Sequence, residues 1–161
     1  MNDGQEMGTV HGDWQFGRPM WMVMQVPSFD RDVRVTDMSF ETSSGQGTIS
    51  ATRKQLLVMN TGPYRGLTLS YRLDTQGGRL VPLDKLTINA GDHPELALVA
   101  LINSAVPGCH EARLVLTVKA AGSEHTFRPR WYIGVDTGVS HGHGRHHCDT
   151  APAPSPTASH S

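Results

Sequence analysis

The sequence predicts an all-β chain, a single antiparallel β-sandwich flanked by two extended ends. Three observations predict it. Apolar residues recur at every second position in run after run. Clusters of glycine, proline, asparagine and serine punctuate those runs at roughly 8–12-residue spacing. No window of the 161 residues carries the 3.6-residue apolar stripe of a long amphipathic helix.

Taken in chain order, residues 1–19 are polar and glycine-rich, with Trp14 and Phe16 as their large apolar side chains. They are expected to form an arm outside the sandwich. Residues 20–135 hold nearly all the patterned hydrophobicity, beginning with candidate strands at Trp21–Val26, Asp32–Phe40 and Lys54–Asn60. From 67 to 73, Leu67, Leu69, Tyr71 and Leu73 alternate with Thr68, Ser70 and Arg72, the signature of a strand with one face on a core and one in water. Arg79–Leu83 and Lys85–Asn89 follow. Glu95–Ile102 is apolar on both faces from Leu96 onward, so it is either a central strand or one covered by a neighbouring segment. Ala112, Leu114, Leu116, Val118 and Ala120 again alternate with polar positions, opposite Arg113, Thr117 and Lys119, and His125–Arg128 and Trp131–Val135 close the series. Pro27, Pro82 and Pro129 each lack a ladder donor and belong at strand ends, edges or kinks. Residues 136–161 are rich first in histidine and then in proline, alanine, serine and threonine. Such a composition buries too little apolar area to offset the entropy of ordering and predicts a disordered tail.

The counts bound function. Fourteen Lys and Arg against fifteen Asp and Glu leave a net charge of −1, too weak a field to recruit nucleic acid or an anionic membrane in bulk. The longest apolar run, Leu96–Ile102, is seven residues, against about twenty needed to span a bilayer as a helix. The first residues have neither the basic nor the apolar region of a secretory signal. A soluble protein is expected, cytoplasmic or assembled into a particle. Cys109 and Cys148 are too few for a disulfide framework. Two reduced thiols are the expectation, and one bridge tying the tail to the domain is the alternative.

Residues 54–120 resemble an immunoglobulin-like module of the kind found in bacterial surface, ciliary and virion proteins. The residues that carry the resemblance are Leu56 to Gly62, ending in an Asn-Thr-Gly turn, Leu67 to Leu73, Leu86 to Gly91, and Pro107 to Val118. The resemblance implies an architecture and a structural or binding role, with protein partners or further copies of the chain. It implies no chemistry, because such sandwiches host many unrelated tasks. The Cys…Trp…Cys signature of antibody domains is absent.

The strongest local chemical signal is His141, His143, His146, His147 and Cys148. Imidazole and thiolate suit Zn, Ni or Cu, and intervening glycines let a backbone wrap an ion, although the spacing is not that of a zinc finger. The tail is therefore read either as a solvated low-complexity segment or as a metal tether, with Cys109 and His110 available to complete a site if the fold brings them near. Catalysis finds less support, since no window predicts the strand-to-helix turn that a nucleophile elbow needs. His93, between Asp92 and Pro94, reads as a turn residue. Asp30, Asp32 and Asp37 read as a solvated strand face, and Asp84, Asp92 and Glu95 as an acidic rim without calcium-loop spacing. Phe127, Arg128, Arg130, Trp131 and Tyr132 interleave basic and aromatic groups. The simpler account packs those aromatics inward while the arginines snorkel. Trp14, Phe16 and Trp21, with Met20, Met22 and Met24, either cover one end of the core or reach a partner. No catalytic residues and no resident cofactor are expected. The expected function is a non-enzymatic structural or binding module docking on a larger assembly, with metal binding by the tail as the alternative.

Overall fold

The computed structural model describes residues 8–14, 17–42, 49–60, 62–64, 66–104, 108–129 and 132–137. All regular structure among them is strand, and no helix long and apolar enough to cross a membrane is present among the described residues. Ten strands form two five-stranded sheets: β1 (Gly8–Trp14), β2 (Met20–Gln25), β3 (Arg34–Thr42), β4 (Ile49–Val58), β5 (Leu67–Ser70), β6 (Arg79–Pro82), β7 (Leu96–Ser104), β8 (Gly108–Ala120), β9 (Ser123–Phe127) and β10 (Tyr132–Thr137). The first sheet runs β1-β10-β8-β3, with β9 also on β8, and the second runs β5-β2-β7-β4-β6. Every pair is antiparallel except β1 with β10.

The inward faces make the main core. From the first sheet come Val35, Met38, Ala112, Leu114, Leu116 and Val118, and from the second Met22, Met24, Leu56, Leu98, Ala100 and Ile102, nearly all fully buried. The alternation expected at Ala112–Ala120 is present, all five apolar positions lying in the core. Glu95–Ile102 is resolved on both counts. Its strand, β7, is central in the second sheet, and its other face carries a second cluster of Val23, Leu57, Met59, Tyr64, Ala97 and Val99.

Four boundaries differ from expectation for identifiable reasons. The arm read as residues 1–19 supplies β1, an edge strand whose parallel pairing with β10 has no alternating pattern to announce it. Lys54–Asn60 is the second half of a longer strand, because a bulge between Thr52 and Gln55, with Arg53 at φ 51°, shifts the inward phase from Ile49 and Ala51 to Leu56 and Val58. Lys85–Asn89 forms no strand, and only Ile88 bridges, to Val33. The strand at Leu67 stops at Ser70. The Ser70 hydroxyl accepts from the Arg72 N–H, and the chain bends so that Leu73 joins the second cluster rather than the face of Leu67 and Leu69.

The prolines obey the backbone rule. Pro82 ends β6, and Pro129 lies between β9 and β10, which follow one another along the same edge of β8. Ala121 (φ 53°) and Gly122 (φ 82°) form the two-residue turn joining β8 to β9, the twist such hairpins favour.

Candidate functional site

The second cluster lies on the outward face of the second sheet. Trp21 and Val23 of β2, Leu57 of β4, Leu80 of β6, and Ala97 and Val99 of β7 share that face by strand alternation. Val99 and Ala97 are fully buried there, whereas Trp21, Leu73 and Leu80 are half-buried at the rim.

Met59 and Tyr64 lie over this face and are tied down by their backbones. Met59 N–H donates to the Glu95 carbonyl at 2.8 Å, and Tyr64 N–H to the Pro94 carbonyl at 2.7 Å. The Tyr64 hydroxyl donates to the Val23 carbonyl at 2.8 Å. Its single proton being so used, the 2.6 Å contact with Thr68 has the Thr68 hydroxyl as donor. Burial raises the Tyr64 phenol above its ordinary range, with the Thr68 bond opposing. The phenol therefore stays neutral and serves as a clasp.

His93 belongs to the same latch and bears out its reading as a turn residue. Nδ1 faces Glu95 Oε2 at 2.9 Å and Nε2 faces the Asn89 carbonyl at 2.7 Å. Both partners are acceptors, a setting that favours the doubly protonated ring. The Glu95 hydrogen bond raises its pKa, partial burial opposes, and the Asn89 carbonyl and the charges of Glu95 and Asp92 add to the rise. With both nitrogens engaged, His93 is not poised as a general base.

A second concave region lies at one end of the sandwich. Phe29, Val33, Val118, Ala120 and Phe127 floor a cleft of about 230 Å³, with Asp30, Arg31, His125 and Thr126 at the rim. Phe29 and Phe127 meet with ring centroids 5.0 Å apart and planes tilted by 51°, an arrangement aromatic quadrupoles favour. An adjoining hollow is bordered by Asp32, Arg34, Thr87 and Lys119. Such a cleft can seat an apolar side chain, but it presents no nucleophile beside a base. Sequence reading had singled out Phe127 only as part of a basic-aromatic run. Phe29 and His125 carried no local signal, because the cleft arises from two distant segments.

The carboxylates serve separate tasks. Asp30 pairs with Arg31, Asp32 accepts from the Ala90 N–H, and Asp37 accepts from Met38 N–H and from Lys54 at 2.7 Å. Partial burial raises the Asp37 pKa, but Lys54 and the Met38 N–H outweigh it and hold the carboxyl below its ordinary value. Arg128 pairs with Glu41 at 2.9 Å and lowers the Glu41 pKa by that hydrogen bond, while Phe127 beside it is buried. Arg130 and Trp131 of the same run lie outside the described residues. The Arg18 guanidinium stacks 3.7 Å over the Tyr71 ring. Among the described residues, no three His, Cys, Asp or Glu side chains gather to hold a metal.

Of the partner-binding residues expected from sequence, Trp21 lies on the outward face of the second sheet, and Trp14 ends β1 opposite Thr137 of β10. Phe16 lies outside the described residues, as do His141, His143, His146, His147 and Cys148.

No protein-family model matches the chain, and no curated protein matches it. Among solved structures it is similar, at 14% identity and a TM-score of 0.30, to a family 123 glycoside hydrolase from Clostridium perfringens. The match covers 82% of this chain and spans 23% of that enzyme's length.

Proposed function

We propose that the chain is a non-enzymatic, immunoglobulin-like module that docks on a protein partner within a larger assembly. The strand order supports the architecture. A β1-β10-β8-β3 sheet with a parallel edge pair faces a sheet centred on β2-β7-β4, the arrangement expected of such sandwiches. One observation carries the docking role: the second sheet is apolar on both faces, and its outward face ends in the half-buried rim of Trp21, Leu73 and Leu80. Met59 and Tyr64 cover the middle of that face, so the rim of Trp21, Leu73 and Leu80 is the part left to a partner.

The test is native isolation with quantitative cross-linking, comparing wild type with Trp21→Asp. A stoichiometric neighbour lost on substitution, with the fold intact by circular dichroism, is the expected outcome. Equal recovery of that neighbour by both proteins refutes docking through this rim.

A second reading, metal binding by the tail, is favoured by the clustering of imidazole and thiol donors at His141, His143, His146, His147 and Cys148. It predicts that submicromolar, stoichiometric Zn, Ni or Cu binding is lost when the chain is truncated after Val139.

A further inference from the structure

We infer that the end of the sandwich where β8 turns into β9 binds a small organic anion, an aryl or short alkyl carboxylate. Its apolar body enters the cleft at Phe29 and Phe127, and its charge meets Arg34 and Lys119. This site goes beyond docking and uses none of the rim at Trp21, Leu73 and Leu80.

Two concavities make the site, and Val33 lines both. The cleft of about 230 Å³ is floored by buried apolar side chains, the Phe29 and Phe127 rings among them. An apolar cavity of about 150 Å³ already holds benzene, so a phenyl group or a short chain fits. Burial there gives affinity, while the few polar groups around such a pocket give the ligand its orientation. The adjoining hollow of about 320 Å³ supplies those groups. It is bordered by Asp32, Arg34, Thr87 and Lys119 and by the turn of Ala121 and Gly122.

The hollow sets the sign of the ligand. Antiparallel register places Arg34 directly opposite Lys119, both exposed on the outward side of β3 and β8. Like charges so placed destabilise a sheet. Among the described residues, neither side chain makes an ion pair. Asp32 is the one carboxylate bordering the hollow, and it accepts from the Ala90 N–H at 2.9 Å. Asp30, at the rim of the cleft, pairs with Arg31 at 3.2 Å. Glu124 faces Lys119 across the β8–β9 ladder but borders neither concavity. Two cations thus meet one anion in the hollow. A bound carboxylate offsets their repulsion, taking paired N–H bonds from the Arg34 guanidinium and a further bond from Lys119 Nζ. A neutral ligand leaves that repulsion in place, and an anion without an apolar body leaves the cleft to water.

The experiment titrates the full-length chain with phenylbutyrate and phenylhexanoate, followed by calorimetry and by NMR. Phenylbutanol, which lacks the charge, and acetate, which lacks the ring, are the controls. One saturable site per chain is expected for the better-fitting carboxylate, with Kd below about 1 mM at low salt. Both controls should bind about tenfold more weakly or worse. Nuclear Overhauser contacts should join the ligand ring to the Phe29 and Phe127 rings. Arg34→Gln and Lys119→Gln, both on the exposed face, should each weaken the carboxylate about three- to tenfold with strand content retained. Together they should erase its advantage over phenylbutanol. Phenylbutanol binding wild type as tightly as the carboxylates overturns the site, as do ring contacts to residues away from the cleft. Absence of saturable binding by either carboxylate up to about 10 mM overturns it equally, whatever becomes of docking.

Discussion

The outward faces of the two sheets differ although their inward faces are alike. On the first sheet the outward positions are mostly polar, with Arg34, Asp37, Ser39 and Glu41 of β3 exposed and Arg113, Thr117 and Lys119 of β8 beside them, Val115 being the buried apolar exception. On the second they are Trp21, Val23, Leu57, Leu80, Ala97 and Val99, roofed by Tyr64 and Met59. A polar outward face leaves a strand's alternation complete in itself. An apolar one must be covered, so the second sheet recruits Met59 and Tyr64, held by the turn around Pro94. The lesson is that β7 marks, within one strand, where a two-layer sandwich acquires a partial third layer.

The largest expected effects measure whether that layer is a true core. Leu98→Ala, at the fully buried inward face, should cost about 2–5 kcal/mol in denaturant unfolding at neutral pH. Val99→Ala, its outward neighbour and equally buried, should cost about 1–3 kcal/mol. Thr117→Val, on the polar outward face of the first sheet, should stay within about 0.5 kcal/mol. If Val99→Ala proves as silent as Thr117→Val, the outward cluster contributes no core and the comparison fails.

The same contrast explains how much the sequence disclosed. Strands with unbroken alternation, such as β8, were legible because one face is wet and the period survives. β7 was legible as a run needing cover, but what covers it was not, since Tyr64 reaches Val23 across 41 residues through a hydrogen bond that leaves no local pattern. The first half of β4 was hidden by its bulge. In β3 another bulge, between Val35 and Asp37, shifts the inward phase from Val35 to Met38. There the Thr36 hydroxyl donates to the Thr117 carbonyl at 3.2 Å, holding the irregularity in place. β1 was missed because Gly8–Trp14 carries no alternating apolar pattern. For the candidate sites, Trp21 was identifiable as a large apolar residue beside the core. The cleft at Phe29 and Phe127 exists only in the packing of two distant segments.

A smaller effect probes the roof directly. Tyr64→Phe keeps the ring over Val23 but deprives the Val23 carbonyl and the Thr68 hydroxyl of their partner. It should cost about 1–2 kcal/mol. Faster amide exchange is expected at Met59 and Tyr64, whose N–H groups bond the Glu95 and Pro94 carbonyls, before any change appears in β8. Uniform acceleration across both sheets would mean that the roof does not open separately.

The smallest effect is the pH dependence of that roof. His93 lies between the Glu95 carboxylate and the Asn89 carbonyl, and the Glu95 hydrogen bond, with Asp92 adding, raises its pKa above 6.5. A raised folded-state pKa means that its stabilisation is full below the unfolded value and is lost as pH climbs through the folded one. Glu95 acts oppositely. Desolvation raises its pKa, but the His93 hydrogen bond, its own backbone N–H and the imidazolium charge outweigh this and set it below 4.5. Its share is present above the unfolded value and is lost as pH falls through the folded one. The pair therefore stabilises most between those limits. Because Glu95 is about half exposed, at 53%, the effect should stay below about 1 kcal/mol. Thermal unfolding from pH 5 to pH 9 should show wild type losing stability on the alkaline side relative to His93→Gln, with amide exchange at Tyr64 rising in the same interval. Parallel curves for the two proteins would remove the imidazolium from the latch and leave the roof to Tyr64 and the backbone alone.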